Sequence, residues 1–321
     1  MKAAISYGSV QQDLPLVEAA LGALRDVDFG PLAQMMDVVL SGGGKRLRPA
    51  LALLAGKFGC YDLERLVPLA ASIELLHTAT LVHDDVIDNT ATRRGRPTVN
   101  SLFRNTTTIM VGDYMFAHAA DFVARTGNIR VIRLFSQALM AITRGEIRQD
   151  MTAFDARQTM DHYFQRISGK TASLFAAACE GGAVVTQAEE ERAQALRDYG
   201  HNLGMAFQIV DDILDFMGDE HEMGKPVGSD LMQGTLTLPS LLLMERYPQD
   251  NPVRKLFSQR RGADYLSQAV EMIRSSDIAQ ESYGVAAGFG QRAEEALAIL
   301  PESEARDTLR DIVHYVLDRG S

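Results

Sequence analysis

The chain has 321 residues, of which 46% are hydrophobic and 23% charged, the proportions of a globular protein with a sizeable core rather than of a disordered or fibrous one. Acidic residues outnumber basic ones by 42 to 32, a formal net charge of −10, so a nucleic-acid partner, which needs a basic face for its phosphates, is not expected. Cys60 and Cys179 are far apart and show neither CxxC nor Cys/His spacing, which argues against a disulfide framework or a zinc site and reads as two small core residues.

Apolar residues recur at helical spacing, as in Leu63, Leu66, Ala70, Ile73 and Leu76, or Leu196, Tyr199, Leu203 and Phe207, while alternating strand patterns are scarce. The fold class expected is all-α. Helices are predicted over about 10–26, 30–40, 49–58, 63–88, 98–124, 128–149, 157–182 and 188–217, with shorter ones to the end. Glycine and proline break the pattern at SGGGKRLRP, RRGRP, RTGN and MGKPVGSDLMQGTLTLP. No linker or low-complexity run divides residues 1–321, so a single domain is expected. The first residues lack the apolar core of a secretory signal, and no uncharged apolar run reaches membrane-spanning length. The expectation is a cytoplasmic protein with no membrane anchor.

The pentad DDVID at Asp84–Asp88 recurs as DDILD at Asp211–Asp215, each closing a long apolar helical segment. Within each pentad the first and last aspartates are i,i+4 neighbours on one face, with Asp85 and Asp212 turned aside. Like charges at that spacing repel and oppose the dipole at a helix carboxyl end, so the arrangement costs stability unless cations offset it. Clustered oxygen ligands suit Mg²⁺, which binds one or two carboxylates together with substrate phosphates. A single such pentad is as readily a solvated helix end; two copies, with basic segments nearby, favour a metal–diphosphate site.

Those basic segments are Gly42–Pro49, where Lys45, Arg46 and Arg48 follow three glycines, and Arg93, Arg94 and Arg96 just beyond the first pentad. Glycines let a phosphate approach the backbone, and Lys and Arg supply charge and forked hydrogen bonds. The spacing is not that of a Walker loop. His77, seven residues before Asp84, lies on much the same helix face and can donate to a phosphate, whereas His83 and His201 read as residues satisfied by their neighbours.

Together these motifs resemble the all-trans polyprenyl diphosphate synthases, trans-prenyltransferases of the isoprenoid synthase fold. The resemblance rests on GGKRLRP at Gly43–Pro49, the first DDxxD followed by Arg93–Gly95, the pair Lys170 and Thr171, and FQIVDDILD at Phe207–Asp215. It implies a helical bundle around a deep cavity, a homodimer, and pentads facing each other across that cavity. It further implies Mg²⁺ ligation by Asp84, Asp88 and Asp211, with Asp215 as a further ligand and Asp85 and Asp212 in support. Three Mg²⁺ would bridge the pentads to the allylic diphosphate. Lys45, Arg48, His77 and Arg94 match positions that bind the diphosphate of isopentenyl diphosphate; Arg93, Lys170, Thr171, Gln208 and Lys225 match those on the allylic diphosphate. Thr235 departs from the pattern, since many relatives carry Lys there.

The implied reaction is head-to-tail condensation, which needs no protein nucleophile and in which charge separation is the hard step. Small residues at Ala79 and Thr80, where short-chain relatives commonly have aromatic side chains, leave a route for the growing tail, with Phe116, Phe122 or Phe135 as later stops. The product expected is hexaprenyl to decaprenyl diphosphate, and release of so apolar a product would favour peripheral contact with a membrane. A geranylgeranyl or farnesyl diphosphate synthase is the main alternative. A class I terpene cyclase or a non-catalytic partner subunit fits less well, because both pentads are complete.

Overall fold

The structure, a computed structural model, describes residues 5–93, 95–218, 226–259 and 263–319. Among the described residues nearly all regular structure is helical, as the periodicity predicts. The helices are α1 (Leu14–Gly22), α2 (Gly30–Leu40), α3 (Leu47–Gly56), α4 (Leu63–Ile87), α5 (Val99–Leu102), α6 (Asn105–Arg125), α7 (Ile129–Met151), α8 (Met160–Ile167), α9 (Ser173–Val185) and α10 (Glu190–Met217). After residue 226 come α11 (Ser229–Met232), α12 (Leu238–Arg246), α13 (Pro252–Gln259), α14 (Ala263–Arg274), α15 (Ile278–Ala296) and α16 (Glu304–Asp318). One two-residue ladder interrupts them: β1 (Thr92–Arg93) pairs antiparallel with β2 (Arg96–Pro97), and Gly95, at φ +73°, supplies the positive dihedral the reversal needs.

By contact density the chain forms two compact units. The first comprises Met1–Leu139, Leu174–Gly200 and Ala296–Asp311. Its centre is α4, buried on almost every side between Leu66 and Leu76. Asp62 caps its start, the side chain accepting from the Glu64 N–H at 2.9 Å. The helix stops where Asn89 takes a left-handed conformation (φ +52°), so the first pentad occupies its last turn. By length and hydropathy α4, though not uncharged, is long and apolar enough to cross a bilayer; 61% of its most apolar stretch is buried inside the structure, as befits a core helix. Helix α3 begins at Leu47, ahead of Pro49, which sits in the first turn where no N–H partner is needed.

The second unit comprises Met140–Ser173, His201–Glu295 and Ile312–Ser321. Its core gathers Tyr163 and Ile167 from α8, Ile209, Ile213 and Phe216 from α10, and residues of the later helices such as Leu243 and Ile273.

Three expectations need correction. The segment 98–124 is two helices, because Phe103 and Arg104 are extended between them. The segment 157–182 starts at Met160 and passes through a π turn at Ser168–Ala172 before α9, a wider turn that the helical period does not register. There Gly169 lets the backbone approach α7: a Cβ would lie 3.0 Å from the Ala141 carbonyl oxygen. Finally, Cys179 is buried, which pushes its thiol pKa up, but Cys60 is exposed in the loop after α3, its N–H donating to the Thr186 carbonyl at 2.7 Å.

Candidate active site

In the first unit, α4 delivers its three aspartates to different surroundings. Asp88 is exposed and Asp84 half-buried, one turn apart, whereas Asp85 is 6% exposed. Arg93, on β1, donates to one Asp85 carboxylate oxygen from Nε at 2.9 Å and approaches it with a terminal nitrogen at 2.8 Å. Asn100 donates to the Asp85 carbonyl at 3.0 Å, so the hairpin and α5 are fastened to the end of α4. Asp85 is therefore engaged with Arg93, while Asp84 and Asp88 keep solvent-facing surface.

A cavity beside this helix end is lined by Gly42, Gly43, Arg46, His77, Asp85 and Arg93, among others. The glycine-rich loop, His77 and the arginine after the first pentad thus meet in one place. Lys45, exposed, and Arg48, half-buried with its guanidinium 4.6 Å from the centre of the Phe175 ring, flank Arg46 in sequence and are not part of that lining. Arg94 lies outside the described residues. The histidines read as background are occupied locally: His83 packs edge-on to Phe116 and has Nε2 3.0 Å from the Ile109 carbonyl, and His201 has Nε2 3.0 Å from the Ser168 hydroxyl.

The second unit treats its pentad similarly. Asp212 is buried and accepts from the Tyr163 hydroxyl at 2.7 Å and from the Gln208 amide at 2.8 Å; the Thr171 hydroxyl donates to Gln208 at 2.6 Å. Burial, with the Asp230 charge adding to it, pushes the Asp212 pKa up to about 7 against those hydrogen bonds. Asp215 has no exposed surface and accepts from Ser229 Oγ at 2.8 Å and from the Asp230 N–H at 3.3 Å. Asp211 keeps 35% of its side-chain surface and pairs with Arg319 at 2.9 Å. Lys170, in the π turn, pairs with Glu146 of α7 at 2.6 Å. Lys225 lies outside the described residues, and Thr235 is buried.

Several of these partners carried no signal in the sequence. Tyr163 and Glu146 lie in unremarkable helical stretches and Arg319 just past the last helix, and only the fold brings them to the motif residues.

Among the described residues no three His, Cys, Asp or Glu side chains converge into a ready metal cage. The half-buried Asp84, the exposed Asp88 and the partly exposed Asp211 carry hard oxygen donors of the kind Mg²⁺ takes together with waters and substrate phosphates.

Aspartate pentads that bury and hydrogen-bond the second carboxylate while the first keeps some exposed surface, in a chain that also carries a glycine-rich basic loop, belong to an enzyme that handles diphosphates. Residues 30–273 match the polyprenyl synthetase family model, a stretch that contains every motif above, and the chain belongs to that family of prenyltransferases. It is 39% identical to the heptaprenyl diphosphate synthase component 2 of Geobacillus stearothermophilus over 98% of each chain. Its fold is similar to that of the heptaprenyl diphosphate synthase of Staphylococcus aureus, with a TM-score of 0.93 at 33% identity over 99% of this chain and 100% of that one. It is also similar to a polyprenyl synthase of Caulobacter crescentus CB15 solved with calcium and isoprenyl diphosphate, with a TM-score of 0.92 at 31% identity over 98% of this chain and 99% of that one.

Proposed function

We propose that this prenyltransferase is a Mg²⁺-dependent trans-polyprenyl diphosphate synthase, adding isopentenyl diphosphate head to tail to an allylic prenyl diphosphate and stopping in the hexaprenyl to decaprenyl range. The observation that carries the reading is the shared design of the two pentads, each complete, each with its second aspartate buried and hydrogen-bonded and its first partly exposed. The heptaprenyl names of two relatives support the longer product.

In this reading Lys45, Arg48, His77 and Arg94 hold the diphosphate of isopentenyl diphosphate, while Arg93, Lys170, Thr171, Gln208 and Lys225 hold the allylic diphosphate. Asp84, Asp88 and Asp211 would ligate Mg²⁺, three ions with substrate bound; Asp215, enclosed by Ser229 and Asp230, has a supporting place beside Asp85 and Asp212. When bound, Mg²⁺ supplies positive charge to the departing diphosphate. The arginines and lysines add to that charge and orient both substrates, so their effect is greatest where negative charge develops. Cleavage of the allylic C–O bond leaves a cation that alkylates the terminal alkene carbon of isopentenyl diphosphate, and a proton is then lost to the released diphosphate. Apolar side chains around the reacting carbons keep out the water that would quench the cation.

We place the enzyme in the cytoplasm, with peripheral membrane contact as its apolar product leaves. Its partner is read as a second copy. The test of the activity is product analysis with Mg²⁺, isopentenyl diphosphate and, separately, dimethylallyl, geranyl, farnesyl and geranylgeranyl diphosphates. A ladder ending at hexaprenyl to decaprenyl is expected. One ending at geranylgeranyl would overturn the long-chain reading, and no condensation with any primer would overturn the synthase reading itself.

A further inference from the structure

The cavity of the first unit holds a contradiction. On the reading that this cavity receives part of a diphosphate, it is walled by two carboxylates, Glu74 and Asp85, eleven residues apart on α4 and so on one face, with His77 between them. Each carboxylate keeps only 9% of its side-chain surface, and each faces one arginine: Asp85 faces Arg93 at 2.8 Å and Glu74 faces Arg46 at 2.7 Å. Unanswered, either charge would repel a diphosphate across a poorly solvated space, where such repulsion is strong.

Arg46 makes a second attachment. Its guanidinium also binds Glu18 of α1 with both ends, one terminal nitrogen donating to Glu18 at 3.0 Å and Nε donating to the other oxygen. Its backbone is left-handed (φ 50°, ψ 35°), a conformation unfavourable for a residue with a Cβ and one that must be held by its surroundings. That residue is the hinge between the glycines and α3, with Lys45 before it and Arg48 two places after it. The Tyr7 hydroxyl donates to the Lys45 carbonyl and pins the other side of the turn.

We propose that Arg46 is a positioning residue for isopentenyl diphosphate: held between Glu18 and Glu74, it sets the turn that presents Lys45 and Arg48 and cancels the Glu74 charge in the cavity wall. Burial works against its charge, but the hydrogen bonds and charges of Glu18 and Glu74 outweigh that and raise its pKa. The proposal rests on the reading that this loop receives the diphosphate of isopentenyl diphosphate.

The experiment is steady-state kinetics of the full chain with farnesyl diphosphate as primer, varying each substrate in turn, for the wild type, Arg46→Met, Glu74→Gln and the double variant, with Tm measured on each. Arg46→Met is expected to raise the KM for isopentenyl diphosphate about tenfold or more, as loss of a buried charge partner does, with a much smaller change in the KM for farnesyl diphosphate. Adding Glu74→Gln should recover much of that loss, because the uncancelled carboxylate is gone. A double variant as impaired as Arg46→Met, or equal losses for the two substrates, would overturn the proposal. Should Arg46→Met not fold, Glu18→Gln carries the test: it loosens one arm of the clamp and should raise the KM for isopentenyl diphosphate about threefold, more than it lowers kcat. An unchanged KM would overturn the clamp. No condensation by the wild type overturns the synthase reading and this proposal with it, an outcome distinct from an active wild type whose variants bind isopentenyl diphosphate normally.

Discussion

Tyr163 is 1% exposed, and its hydroxyl donates to the buried carboxylate of Asp212 at 2.7 Å. The other Asp212 oxygen is held by Gln208, itself held by Thr171, so one chain of hydrogen bonds runs from α8 through the second pentad to the π turn. Tyr163→Phe keeps the ring and removes only the donor. The loss leaves a buried carboxylate short of a partner and should cost about 1–3 kcal/mol, read as a lower Tm, with a fall in kcat as Asp212 and Gln208 loosen. A variant with wild-type Tm and kcat would show the hydrogen bond to be idle. The pentads themselves were legible in sequence because the i,i+4 relation is local. Their anchors were not: Tyr163 is 49 residues from Asp212, and Glu18 and Glu74 are each 28 from Arg46, pairings that only the folded chain makes.

Within elements, α4 shows how far a periodic pattern reaches. Its length, its end at the first pentad and its apolar character follow from the sequence, and the structure has them. What the pattern leaves open is which small residue near the pentad faces space. Ala79 has no exposed surface, while Thr80 is half-buried, its hydroxyl turned back to the His77 carbonyl at 2.7 Å. The two positions should therefore answer differently to enlargement. Ala79→Phe forces a ring into close packing and should cost about 1–3 kcal/mol or more, mixing a stability loss with any change in product. Thr80→Phe, at a half-buried position, should disturb packing less and shorten the prenyl product with a smaller change in Tm. If its product ladder ended where the wild type's does, the tail would not pass this turn. The break at Phe103 and Arg104 and the π turn at Ser168–Ala172 were equally illegible, since both interrupt helical stretches without a proline or an isolated glycine pair to mark them.

For the whole molecule, the open question of partnership has a surface to argue from. Met140, Ile147 and Met151 of α7 are 57%, 54% and 80% exposed. Spaced by seven and four residues, they fall on one face of the helix, whereas scattered single apolar residues on a surface would not line up. On the proposal that the partner is a second copy, this stripe is the surface that a two-fold contact would cover on each copy. The expected outcome is a dimer in sedimentation velocity at micromolar concentration, converted largely to monomer by Ile147→Arg, which places a charge in the middle of the seam. Activity should fall with the dimer if the paired form is the working one. A wild type that sediments as a monomer would overturn the reading of this stripe as a seam between two copies.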